Sequence, residues 1–409
     1  MALSLRQLAL STNWPVIVAV TVLCGMGVLS IWTDSPAEGR KQLIFMGLGL
    51  GIIVAMQAIS YMRIGKWAWP LYVLALLLLV YTVAPFMQVP RYDQRLFRVP
   101  ETNGAYAWIN FGVLRFQPAE LTKIAFVMVM ARYLRFRNNY RTFFGLLAPF
   151  TLAVVPLMLI LKQPDLGTAI VFIPTLFVML FVAGAKIRHL LAIVGMGVVL
   201  SPVLWFSGEH MISGAGRAPQ ACTVCPRVPL LNKLPQFVKH YQRDRVHAMF
   251  STDARTLADT GFQQHNALIA FGSGGVSGKG AGNIPVGRRV PESHNDMIFA
   301  LVGEQFGFFG AGVVMIAYIV LFAAGIEIAG STREPFGRMV AVGIVALLAG
   351  QAFLNLMVAM KLMPVTGVTL PFVSYGGSSL LASCIAVGLL LNIGQNRPMV
   401  IGRDSFEFE

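Results

Sequence analysis

About ten apolar runs, each close to the roughly twenty residues that cross a bilayer as a helix, divide this chain almost from end to end. Their approximate limits are 14–33, 42–60, 68–87, 118–134, 143–161, 168–184, 188–207, 297–325, 338–359 and 377–395. A chain so patterned has few choices, because backbone polar groups inside lipid must be satisfied within each segment. The prediction is an all-α polytopic membrane protein, built as one domain over residues 1–409, with a long loop at 208–296 between the seventh and eighth spans. A hydrophobic share of 56% with only 12% charged residues agrees.

The formal charge of +14 raises nucleic acid as a partner. The placement of the cations excludes it, since they lie in connections between apolar spans or in the one long loop. Arg63, Lys66, Arg135, Arg137, Arg141, Lys186, Arg188, Arg333 and Arg338 all fall in short connections on one side, with Arg397 and Arg403 in the tail. That side is expected to be cytoplasmic, with both termini on it. Arg40 and Lys41 run against the rule. The first span, Trp14 to Trp32, is too long for a signal-peptide core and lacks a small-residue cleavage site, so it reads as an uncleaved helix.

Of the four cysteines, Cys24 and Cys384 fall in apolar spans as packing residues. Cys222 and Cys225 form a lone CxxC in a proline-bearing insert near 208–235, better suited to a disulfide than to zinc. Residues 236–250 and 262–270 have the pattern of short interfacial helices.

Ionisable groups at the edge of a membrane point to chemistry. Asp296 is set directly against the apolar run that begins at Met297, where it is either a helix cap, together with Ser293 and Asn295, or a reactive acid. Glu120 and Lys123 open the fourth span three residues apart, on one helix face, as a structural ion pair or a catalytic one. Asp165 lies in the tight connection between spans five and six and is suited to capping the sixth helix. Trp108 is either an interfacial anchor or a face on which a sugar stacks. The run GSGGVSGKG fits neither phosphate-binding glycine pattern: a Walker loop needs glycine at Ser273 and a hydroxyl residue at Gly280, and the dinucleotide pattern needs glycine at Ser277.

Six pieces together carry a family resemblance: NGAYAWINFG with FQPAELTK (103–123), QPDLGTA (163–169), YQRDRV (241–246), GFQQHNALIAFGSGGVSGKGAGN (261–283), VPESHNDMIFALVGEQFGFFG (290–310) and PVTGVTLPFVSYGGSSLL (364–381). The chain resembles the SEDS family of shape, elongation, division and sporulation proteins, which includes RodA and FtsW. The resemblance implies a peptidoglycan glycosyltransferase that polymerises lipid II on the outer face of the bacterial cytoplasmic membrane. It implies a class B penicillin-binding protein as transpeptidase partner within the elongation or division machinery, besides membrane lipid. It assigns catalysis to Asp296, Glu120 and Lys123, and makes Trp108 and Asp165 candidate substrate contacts, to which charge and position add Arg243, Arg245, Lys279, Gln264 and Ser374. A divalent cation, magnesium or manganese, is the cofactor it allows, with no ligand set readable. Ala119 stands where the family has serine, and Asn295 and Met297 stand where it has threonine and phenylalanine. A flippase for the lipid-linked precursor is the alternative activity, since intramembrane charge also suits translocation.

Overall fold

The computed structural model describes residues 13–84, 99–100, 106–111, 115–137, 139–205, 207, 211–212, 220–221, 240–250 and 261–395. Each apolar run becomes a helix: α1 (Trp14–Asp34), α2 (Pro36–Gln57), α3 (Ala68–Val83), α4 (Pro118–Phe136), α5 (Leu147–Lys162), α6 (Leu166–Val182) and α7 (Ile187–Trp205). Two shorter helices follow in the long loop, α8 (His240–Phe250) and α9 (Phe262–Ser273). The bundle closes with α10 (Ile298–Ser331), α11 (Pro335–Ala359) and α12 (Gly377–Gln395). By length and composition α1, α2, α10, α11, α12 and the stretch Phe144–Lys162 can cross a membrane, with α3, α6 and Ile187–Val203 as shorter apolar helices. Among the described residues the only strands are two antiparallel ladders, β1 (Ile109–Asn110) with β2 (Arg115–Phe116) and β3 (Met211–Ile212) with β4 (Gln220–Ala221). Cys222 and Cys225 lie outside the described residues.

Proline in the first turn starts α1, α2, α4 and α11, where its missing N–H has no intrahelical partner to lose. It corrects two expected boundaries. α2 begins at Pro36 rather than near residue 42 and takes Glu38, Arg40 and Lys41 into its first turns, and α11 begins at Pro335 rather than near residue 338. Inside the bundle α10 packs on α1, α12 on α2, and α11 on α4, α6 and α10. Buried Phe126, Phe172 and Phe299 fill the centre. Large side chains left uncovered on α7, such as Leu191, Val198 and Val199, are what a lipid-facing surface requires.

A larger correction concerns the eighth apolar run, expected as one continuous span. Gly307 breaks α10 with φ 64° and ψ −157°. The freed backbone groups are taken up by the glycine-rich loop before it. Phe308 N–H donates to Gly275 O (2.9 Å) and Phe309 N–H to Val276 O (3.3 Å), while Glu304 O and Gln305 O accept from Lys279 N–H (2.9 Å) and Gly280 N–H (3.0 Å). The GSGGVSGKG run is thus a backbone clasp around an interrupted helix, which a buried helix break demands.

The connections segregate to two ends. At one, Arg132 donates to Gly65 O, Arg135 pairs with Glu334 at 3.3 Å, and Asn392 donates to Met56 O and Ile59 O. At the other, the α1–α2 corner, the β1–β2 hairpin, the α5–α6 connection, the loop before α10 and the 360–376 loop converge. The basic connections lie at the first end and every candidate acid at the second.

Candidate active site

Asp296 sits one residue before the N-cap of α10, which is Met297 and makes no side-chain cap bond. The capping role open to Asp296 in the sequence is therefore not the one its carboxylate performs. Gln263 on α9 donates its amide to Asp296 Oδ1 at 3.0 Å and to Pro291 O at 3.1 Å. From the other side, Asn355 on α11 donates to Asp296 O and to Val368 O, both at 2.7 Å. The acid is held by side chain and backbone at once, and only 7% of it is exposed.

Burial pushes its carboxyl from an ordinary 3.8 up to about 6. Its own backbone N–H opposes the rise, the Glu292 carboxylate adds to it, and Arg245 and the Gln263 amide counter it. A carboxylate in that range, at a polar boundary, is suited to accepting a proton near neutrality.

A second set gathers at the starts of α4 and α6. Lys123 Nζ lies 2.8 Å from Glu120 Oε1, both side chains buried. Asp165 caps α6 by accepting from Thr168 N–H at 3.0 Å and Thr168 Oγ1 at 2.8 Å, and it accepts from Gln117 Nε2 at 3.0 Å. Burial raises the Asp165 carboxyl, the Thr168 bonds and Lys123 hold it down, and Glu120 raises it further. Glu120, Lys123 and Asp165 thus form one electrostatic group.

Among the described residues, the 360–376 loop joins the two sets. Its Val368 carbonyl shares Asn355 with Asp296, and its Thr369 hydroxyl bonds Ser379 on α12 at 2.8 Å. Gln117 N–H donates to the neighbouring Ser378 Oγ at 3.1 Å. Gly167 lets the loop lie on α6, since a Cβ there would collide with Thr366 O and Val368 Cγ2.

The remaining candidates divide. Arg245 donates to Val365 O at 3.0 Å and acts on Asp296. Trp108 is half-buried beside β1, at the hairpin that carries Arg115. Arg243 is buried and donates to Ser207 O at 2.6 Å. Gln264 donates to Val358 O at 2.8 Å and Met363 O at 2.6 Å, bracing α9 against the end of α11, and it is the adjacent Gln263 that reaches Asp296. Ser374 Oγ accepts from Leu370 N–H at 2.7 Å inside its own loop. Lys279 pairs at 2.7 Å with Glu304, a fully buried acid that also accepts from Val286 N–H (3.1 Å) and Gly287 N–H (2.6 Å). Sequence reading had no signal for Gln263 over Gln264, or for Asn355, because neither position differs in local pattern from a structural amide.

For the divalent cation, no three His, Cys, Asp or Glu side chains among the described residues converge as a ligand set.

Residues 2–398 match the cell cycle protein family of FtsW, RodA and SpoVE, and the chain belongs to that family. It is 32% identical over 394 residues to the probable peptidoglycan glycosyltransferase FtsW of Geobacter sulfurreducens, covering 92% of this chain and 93% of the relative. It is 30% identical over 382 residues to the peptidoglycan glycosyltransferase MrdB of Escherichia coli, covering 91% and 90%. A solved chain from work on the coordination of polymerization and crosslinking by a peptidoglycan synthase complex superimposes with a TM-score of 0.74 at 28% identity, over 95% of this chain and 99% of the other. The rod shape determining protein RodA of Thermus thermophilus gives a TM-score of 0.63 at 27% identity, over 94% and 97%.

Proposed function

We propose that Asp296 is the general base with which this chain polymerises lipid II. The chain is a peptidoglycan glycosyltransferase of the SEDS family, a multi-pass protein of the bacterial cytoplasmic membrane acting in division or elongation. In the reaction, the 4-hydroxyl of one lipid-linked disaccharide attacks the anomeric carbon of another. Its proton passes to Asp296, and the bond to the polyprenyl pyrophosphate breaks with the electron pair leaving on the phosphate oxygen. The observation that carries the assignment is a buried carboxylate raised to about 6 and oriented by Gln263.

Lys123, Glu120 and Asp165 form the second polar set and orient the sugar or relay the proton, with Trp108 as a stacking face near the hairpin. Arg245, beside Asp296, is the cation best placed to offset developing phosphate charge. Lys279 and Arg243 are occupied by Glu304 and Ser207 O and serve the frame of the site. The end that holds both acid sets faces outward, because the opposite end bears the cations of the short connections. A peptidoglycan transpeptidase of class B is the partner, in keeping with the synthase complex that contains the similar chain.

Intramembrane charge alone speaks for a flippase, whereas the relatives of Geobacter sulfurreducens and Escherichia coli carry the name of glycosyltransferases. Purified protein given lipid II builds glycan polymer, and Asp296→Asn abolishes it while the variant still folds. Normal polymerisation by that variant overturns the assignment.

A further inference from the structure

The histidine two residues before Asp296 stands outside the chemistry above. His294 Nε2 lies 3.0 Å from Glu38 Oε2 and its Nδ1 lies 3.7 Å from Asp34 Oδ2. Those acids end α1 and begin α2, so the imidazole is set into the helix corner. Arg288, at the other end of the same segment, approaches Asp34 at 3.9 Å. The backbone carbonyl of His294 accepts from Tyr375 N–H at 2.8 Å, and its ring meets the Tyr375 ring edge-on with centroids 6.0 Å apart. One turn along α2, Gln42 donates to Ser374 O at 3.0 Å. The corner thereby grips both the segment that carries Asp296 and the loop that joins the two acid sets.

We propose that His294 is a positioning residue for Asp296, its ring tying the segment that bears the base to the α1–α2 corner. The role rests on the reading of Asp296 as the base. Charge and geometry give the reason. The ring is set between a carboxylate that ends α1 and one that begins α2, while its own backbone carbonyl is bonded to the 360–376 loop, so one residue links three parts of the fold. The groups facing it are Asp34 from α1, Glu38 from α2, Arg288 from its own segment and Tyr375 from the 360–376 loop. Asn355 holds the Asp296 carbonyl and Gln263 its carboxylate, so release at His294 loosens the chain on the N-terminal side of the acid and shifts the carboxylate against those two anchors. Misplacement of a reacting group by about 1 Å lowers rate on the order of a hundredfold.

The experiment uses the purified full chain with lipid II, comparing His294→Ala, His294→Gln, the pair Asp34→Asn with Glu38→Gln, the combination of that pair with His294→Ala, and Asp296→Asn. His294→Ala is expected to lower kcat about ten- to hundredfold with KM little changed. The acid pair gives a similar loss, the combination gives no further loss, and His294→Gln, able to donate to one carboxylate, falls between. Hydrogen exchange across residues 290–297 rises in His294→Ala and not in Asp296→Asn. Losses that add, or an alanine variant with unchanged kcat and exchange, overturn the proposal. If Asp296→Asn itself polymerises normally, the base assignment fails instead, and the exchange measurement still decides whether His294 holds the segment.

Discussion

Gln263 donates one amide group to both Asp296 Oδ1, at 3.0 Å, and Pro291 O, at 3.1 Å, so a single side chain on α9 spans the segment that presents the acid. That bond favours the ionised carboxylate and works against the burial that raises it. A hydrogen bond to a charged group contributes about 1.5–3 kcal/mol, and one pKa unit corresponds to about 1.4 kcal/mol. Gln263→Met is therefore expected to move the acid limb of the pH profile of kcat/KM upward by about one to two units. The parent loses activity as pH falls through about 6, where Asp296 takes up its proton. An unmoved midpoint in the variant would show that the amide does not tune the base.

Asp296→Asn separates activity from stability. A carboxyl that binds its proton more tightly in the fold than in the unfolded chain adds stability below its unfolded pKa, and that contribution is lost as pH rises to its folded value. For Asp296 the window runs from 3.8 to about 6, so the ionised acid burdens the fold at neutral pH. The burden is up to about 3 kcal/mol, by the free energy of each pKa unit. Asparagine keeps the oxygen that accepts from Gln263 and sheds the charge. The variant should lose about a hundred- to ten-thousandfold in polymerisation yet melt higher than the parent at neutral pH. Thermal unfolding in detergent checks this, with the difference closing as pH is lowered through the same window. A variant that melts lower at neutral pH contradicts the desolvation account.

The Glu120–Lys123 pair, 2.8 Å apart and buried, makes a different prediction. Removing one member of a buried pair leaves an uncompensated charge at a cost of about 3–5 kcal/mol, while replacing both is often close to neutral. Lys123→Met alone should fold poorly. Glu120→Gln combined with Lys123→Met should recover the melting temperature and remain inactive. Recovery of polymerisation in the double variant would reduce the pair to a structural stitch between helices.

The spans, and the end at which each connection emerges, were legible because hydropathy and cation placement are read residue by residue. So were Asp296, Glu120, Lys123 and Asp165 as boundary acids and bases, since charge beside an apolar run is visible in one dimension. What stayed hidden depends on the third dimension. Gln263 and Gln264 are adjacent and chemically identical, and only the direction each takes from α9 decides that one meets Asp296 and the other Val358 O and Met363 O. Charge and position alone made Lys279 a candidate substrate contact, and its partner Glu304, twenty-five residues away inside an apolar run, was not visible. The early start of α2 was hidden by Glu38, Arg40 and Lys41, whose charges end an apolar window although Pro36 has already begun the helix.

The break in α10 supplies the last prediction. Gly307 adopts φ 64° and ψ −157°, a region open essentially to glycine, at a cost of about 1–3 kcal/mol for another residue. A Cβ there would also run into Gly278 N and Val276 O, which are backbone atoms of the clasp and have little room to yield. Gly307→Ala should thus force the loop off the helix, exposing the backbone groups of Glu304, Gln305, Phe308 and Phe309 that it now satisfies. The expected loss is at least about 3 kcal/mol, combining backbone strain with overpacking. Glu304→Gln attacks the same clasp more gently, weakening the bonds to Lys279, Val286 and Gly287 at about 1–3 kcal/mol. Both changes release one unit, so their effects should combine to less than their sum. Melting of the single and double variants, with hydrogen exchange across 275–287, measures this; a Gly307→Ala protein as stable as the parent would mean that the loop does not hold the interrupted helix.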